Sequence, residues 1–355
     1  MLPISAVPRP LPAAGHADVA GASDGMPRSP SRWYGIALSA GLGLAAWRLG
    51  QWLPLIGGPV MGILLGMLWR NLLGLSPVFA PGIGYSSRQV LKWSIIGLGF
   101  GLGLGEVVRT GASSLAVTAV TLSVAFAAAW LLGRWLGLTG HLRTLIGVGT
   151  AICGGSAIAA AAPILKPDEH DTALAISTIF LFNVVAVLVF PPLGHWMGLS
   201  DAGFGLWAGT AINDTSSVVA AGYSYSTAAG DVATIVKLTR ATLIIPVCVG
   251  LALWTAWRAR HAETRVSLAR IFPWFILWFL AASGVRSLGL VPGPVLALLH
   301  EASQFLVIMA LTAIGLSSDL RRMALAGVRP LLLGLGVWVA VAASSLAMQW
   351  AMGSL

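Results

Sequence analysis

About eleven mostly apolar stretches, each near the length that crosses a bilayer, follow one another along nearly the whole chain. They lie near 34–50, 57–74, 88–105, 112–133, 143–163, 172–194, 203–223, 229–256, 271–285, 293–318 and 330–352. A helix needs roughly 20 such residues to span the hydrocarbon core. Lipid offers no partner for a backbone N–H or C=O, so runs in series must be helices that satisfy their own backbone. The expected fold is therefore an all-α polytopic membrane protein. Residues 33–355 form its single transmembrane domain, and the short first segment is tilted or partly interfacial.

Charge supports this. Only 9% of residues are charged, where soluble domains carry about 25%. The net charge of +9 does not indicate nucleic acid, because the basic residues sit at segment ends rather than in one patch. Cys153 and Cys248 both fall in apolar segments, without disulfide or metal-ligand spacing, and read as small packed hydrophobes. Residues 1–32 are rich in Pro, Ala, Gly and Ser and have no apolar core stretch. They read as a disordered tail that is retained rather than cleaved as a signal peptide.

Lys and Arg set the orientation. The stretch WRARHAETRVSLAR, with Arg258, Arg260, Arg265 and Arg270, is the most basic loop and belongs in the cytoplasm. Counting outward puts Arg321, Arg322 and Arg329, Arg134 and Arg143, Arg70, Arg88 and Lys92, and the tail with Arg28 and Arg32 on the same side. Arg109, Lys166 and Arg286 fall opposite. The N-terminus is thus expected inside and the C-terminus outside.

The tetrapeptide GTAI occurs twice, at Gly149–Ile152 and Gly209–Ile212, 60 residues apart. The copies run on as GTAICGGSAIAAA and GTAINDTSSVVAA, so Ser156 matches Ser216. Gly-, Ser- and Thr-rich helix interiors are easily interrupted, and paired interruptions point to a transporter's binding site. Freed N–H groups at a half-helix start carry partial positive charge and suit an anion. Gly154, Gly155, Ser156, Thr215, Ser216 and Ser217 are placed to supply them, with Thr150, Thr210 and Asn213 in the same segments. The plain alternative is close helix packing, for which small residues are the usual choice; two copies favour a site.

Asp214 lies midway through segment seven, and Lys237 and Arg240 lie three residues apart on one face of segment eight. An ionisable residue inside a span is a functional candidate, and the economical partner for Asp214 is Lys237 or Arg240. Either they form a structural ion pair, or the set is functional in one of two forms: the cations face an anionic substrate, or Asp214 takes and releases a proton, one basic residue neutralising Asp214 and leaving the other for the substrate. Weaker candidates are Asn183 in segment six, and His300 with Glu301 as a proton relay. Asp319, Arg321 and Arg322 read as an interfacial cluster, and Glu106 follows segment three. Lys166, Asp168, Glu169, His170 and Asp171 read as a solvated loop.

Weaker internal similarities point to an inverted repeat. Ile96–Leu98 and Ile314–Leu316 are IGL elements in segments of opposite expected direction, and LIGGPVMGILLG resembles LVPGPVLALL. The same count makes the two GTAI segments parallel, which an inverted fold does not favour. Either one is re-entrant, or the count is off by one between them.

The segments GTAICGGSAIAA, GTAINDTSSVVAAG, KLTRATLIIP and AIGLSSDL resemble the signatures of the YeiH-type sulfate exporter family of bacterial inner-membrane proteins, over residues 33–355. The resemblance implies a fold related to sodium/proton antiporters and bile-acid symporters, with inverted repeats and broken, crossed helices. It also implies export of a small sulfur oxyanion. The expected function is secondary transport of an anion such as sulfate or sulfite, possible coupling to protons or a cation being left open. The alternative is a cation/proton antiporter using Asp214. A membrane enzyme is disfavoured, since no P-loop, HExxH or GxSxG element occurs. The expected partners are a small anion and the bilayer, homo-oligomer formation being open, with no nucleic acid, cofactor or metal.

Overall fold

The structure, a computed structural model, describes residues 31–53, 57–259, 272–320 and 327–353. The tail over 1–30, with Arg28, lies outside the described residues, as do Arg260, Arg265, Arg270, Arg321 and Arg322. Among the described residues the regular elements are all helical. Five helical stretches are long and apolar enough to cross a membrane: Leu104–Trp135, Glu169–Trp196, Thr227–Thr255, Gly293–Ser317 and Val328–Ala351.

The helices fall into two groups. The first contains α1 (Arg32–Trp52), α2 (Gly57–Leu68), α3 (Ala80–Tyr85), α4 (Leu91–Gly99), α13 (Phe275–Ser287) and α14 (Gly293–Ser317). Its seam is α2 against α14. Gly58, Gly62 and Gly66 recur every four residues and face Ile308, Thr312 and Gly315. Small residues let two backbones approach where lipid supplies no hydrophobic drive. α4 runs opposite to α14, with Gly97 facing Ser303 and Gly101 facing His300.

The second group contains α5 (Leu104–Trp135), α6 (Gly140–Ala151), α7 (Gly155–Leu165), α8 (Glu169–Trp196), α9 (Asp201–Ala211), α10 (Thr215–Tyr225), α11 (Thr227–Thr242), α12 (Ile244–Ala259) and α15 (Val328–Ala351). Helices α11 and α12 form one span with a jog at Leu243. Pro246 lacks an N–H and crowds the carbonyl four residues earlier, which accounts for the jog.

Neither GTAI segment runs straight through. The hydroxyl of Ser226, just past α10, donates to Asp201 at the start of α9 at 2.7 Å. A continuous helix over 201–225 would hold those ends roughly 37 Å apart. Gly205 faces Val232 and Gly209 faces Val236, so α9 runs parallel to α11, while Gly222 meets Gly230 across the tight α10–α11 turn. Helices α9 and α10 are therefore antiparallel arms of a hairpin. Phe204, Tyr225 and His195 stack at its base, with centroids 3.9 and 4.1 Å apart.

The first copy behaves alike. Thr139, capping α6, donates to Asp171 near the start of α8 at 2.7 Å. Gly149 in α6 faces Ile158 in α7, and both Gly149 and Gly154 face Ile179 in α8. Helices α6 and α7 thus fold back on each other, and α8 carries the chain from the base of one hairpin to the base of the next. The two hairpins enter the bundle from opposite ends.

Three expectations change. The segments at 143–163 and 203–223 are re-entrant hairpins rather than spans. The resemblance implies broken helices that cross; the breaks are present, but the chain reverses at each. The loop containing Lys166 and Asp168 falls at the same end as Arg134 and Arg143, not opposite them.

Candidate functional site

The tips of the two hairpins meet in the middle of the second group. The tips reverse by different chemistry. Gly154 has φ +68 and ψ −132, a conformation open to glycine and strained for other residues. In the second copy Asp214 has extended backbone and caps α10 with its side chain. Its carboxylate accepts from the Ser216 N–H at 3.0 Å and from the Ser216 hydroxyl. A carboxylate at a helix start satisfies an orphan donor and favours the positive end of the dipole. A Cβ on Gly154 would sit 3.5 Å from that of Asp214, so the two turns touch.

Lys237 and Arg240 do not pair with Asp214; among the described residues the only ion pair within 4 Å is Arg70–Asp319. Lys237 Nζ donates to the carbonyls of Ile152 at 2.7 Å and Ile212 at 2.9 Å. Arg240 donates through Nε to Ala151 at 2.6 Å, through Nη2 to Thr150 at 2.7 Å, and through Nη1 to the Thr210 carbonyl. Both side chains are wholly buried. Their charges lie on the C-terminal ends of α6 and α9, where orphan carbonyls and the negative end of each helix dipole collect. One pair of cations, one helical turn apart on α11, thereby ties the first hairpin to the second.

The expected site residues fall into three sets. Thr150, Thr210 and Asn213 are buried at the tips. The Thr210 hydroxyl meets Ser345 at 2.7 Å, while Thr150 Oγ1 and Asn213 Oδ1 have no hydrogen-bond partner among the described residues. Ser216 and Ser217 are buried in the first turn of α10. Gly155, Asp214 and Thr215 are half-buried, and Ser156 is exposed, so the junction is open at the start of α7, which has no side-chain cap. Asn183, a weaker candidate, belongs here: its Oδ1 accepts from the Asp214 N–H at 3.2 Å.

The other candidates lie elsewhere. Arg70 pairs with Asp319 at 3.4 Å. His300 hydrogen-bonds Gln304, and Glu301 and Glu106 are exposed. Cys153 and Cys248 are buried free thiols. What sequence reasoning missed is the set of acceptors: the backbone carbonyls of residues 150–152, 210 and 212 carry no side-chain signal. It also passed over Asp231, whose signal was available as a charge in the apolar segment that holds Lys237.

A family model described as "Conserved hypothetical protein 698" matches residues 34–334. A UPF0324 membrane protein of Fusobacterium nucleatum is 40% identical over 343 residues, covering 91% of this chain and 99% of the relative. One of Streptococcus pyogenes is 43% identical over 328 residues, covering 90% and 97%. One of Streptococcus pneumoniae is 42% identical over 320 residues, covering 88% and 95%. With both hairpins inside the matched region, the chain belongs to the YeiH-like UPF0324 family of membrane proteins.

Proposed function

We propose that the chain is a secondary transporter of a small inorganic oxyanion, sulfate or sulfite being the first to test. The observation that carries this reading is the meeting of two oppositely entering hairpins at tips clasped by Lys237 and Arg240. Taking each helix end as about half a charge, the two C-termini and two N-termini cancel. Lys237, Arg240 and Asp214 then leave about one positive charge at the junction. The open start of α7, with Gly155 and Ser156, is where an anion meets free N–H groups. In this reading Gly154, Gly155, Ser156 and Thr215 contact the anion, and Lys237 and Arg240 act on it through the tips.

Folding back both GTAI segments leaves about nine crossings of about eleven. That count keeps the start of α1 and the end of α15 on opposite sides. With the basic ends taken as cytoplasmic, this reading has the tail inside and the C-terminus outside a bacterial inner membrane. The first helix group is the scaffold against which the hairpins shift to give alternating access.

The test is flux in proteoliposomes containing the purified chain. Radiolabelled sulfate or sulfite is expected to exchange across the membrane, and a Gly155→Val substitution is expected to suppress it. Anion flux at background level, with proton movement on adding sodium, would instead establish the cation/proton antiporter built on Asp214.

A further inference from the structure

A cavity of about 210 Å³ lies between the two helix groups at the end where α1 closes and α2 opens. Trp47 and Gln51 of α1 and Gln304 of α14 line one side, and Tyr223 of α10 and Thr227 of α11 the other. Each wall is backed by a titratable residue. The Tyr223 hydroxyl donates to Asp231 at 2.5 Å, and the Gln304 amide meets a ring nitrogen of His300 at 2.9 Å. Asp231 is half-buried, and among the described residues no cationic side chain comes within 4 Å of it. The titratable groups that face it are His300 on α14 and Glu106 on α5, with Tyr223 from α10 in direct contact. Toward the hairpin tips the interface is closed by Val60, Val219, Val307 and Leu311. The cavity therefore leads to the Tyr223–Asp231 pair rather than to Asp214.

We propose that Asp231, behind the Tyr223 wall of this cavity, holds and releases the proton that drives transport, with His300 behind the facing Gln304 wall as its partner. The proposal rests on the transporter reading and adds the coupling ion and its residues. The proton comes from hydronium in the cavity, adds to a carboxylate oxygen of Asp231, and returns to water; no other bond changes. Coupling follows from placement. Asp231 rides on α11 with the hairpins, and His300 is fixed on α14 with the other group. A shift of one group against the other changes the distance between Asp231 and His300, so protonation of Asp231 and conformation bias each other. Tyr223 and Gln304 fix the geometry of each partner.

Two measurements on the full chain test this. Infrared spectra in nanodiscs, taken across a pH series, are expected to show a protonated carboxyl band that disappears in Asp231→Asn. The midpoint of that band moves in His300→Gln. A spectrum unchanged by Asp231→Asn overturns the proposal. In proteoliposomes, the ratio of proton-gradient-driven sulfate uptake to sulfate counterflow is expected to fall about tenfold in Asp231→Asn and in His300→Gln. A ratio equal to that of the unaltered chain overturns the coupling role. Absence of sulfate counterflow in the unaltered chain counts against the anion reading alone, because the infrared series reads the proton site without substrate.

Discussion

Lys237 and Arg240 between them reach five carbonyls on two separate hairpins, which makes them the most consequential side chains in the molecule. Removing a donor strands buried acceptors, and each orphaned carbonyl costs about 1–3 kcal/mol. Lys237→Met is therefore expected to lower the thermal unfolding midpoint in detergent, read by tryptophan fluorescence. Arg240→Lys is not conservative here: an ammonium on a flexible stem does not reproduce the planar fork that reaches Thr150, Ala151 and Thr210 at once. It should lose most of the stability that Arg240→Met loses. Gly154→Ala meets only ordinary contacts, with Ile179 and Asp214 at 3.4–3.6 Å, so its cost is backbone strain of about 1–3 kcal/mol. Gly155→Ala, without positive φ, serves as the control in the same assay.

The elements of interest are the hairpins. A double substitution Asp201→Cys with Ser226→Cys is expected to form a disulfide on mild oxidation, because those side chains touch at 2.7 Å. Thr139→Cys with Asp171→Cys should do the same at the other base. A gel-shift assay that finds neither crosslink would return both segments to the spanning arrangement. Asp214 caps α10, and asparagine caps a helix about as well, so Asp214→Asn is expected to cost less than about 1 kcal/mol. The same change removes a negative charge from the junction, so the KM for anion flux should fall rather than rise.

At the scale of the whole molecule, both ends of the first hairpin emerge together. Cysteines placed at Gly137 and at Lys166 are expected to react with an impermeant thiol reagent from the same side, and one at Gly198 from the other. Opposite labelling of Gly137 and Lys166 would restore the straight-through count. The apolar runs and sparse charge made a helical membrane protein legible in the sequence, because burying a polar backbone in lipid leaves no other economical solution. The doubled GTAI marked where helices break, because Gly and Asp at those turns have local conformational reasons that a sequence displays. Whether the chain continues or reverses after a break has no such local signature. A hydropathy run over 203–223 reads alike for one span and for two short antiparallel arms. That choice was decided by contacts between residues far apart, Ser226 with Asp201 and Thr139 with Asp171. The same holds for charge: the sequence alone placed Lys237 and Arg240 on one helix face. Only the tertiary structure turned that face toward the carbonyls of two hairpin tips, since a half-helix end is an acceptor that exists only once the chain has folded.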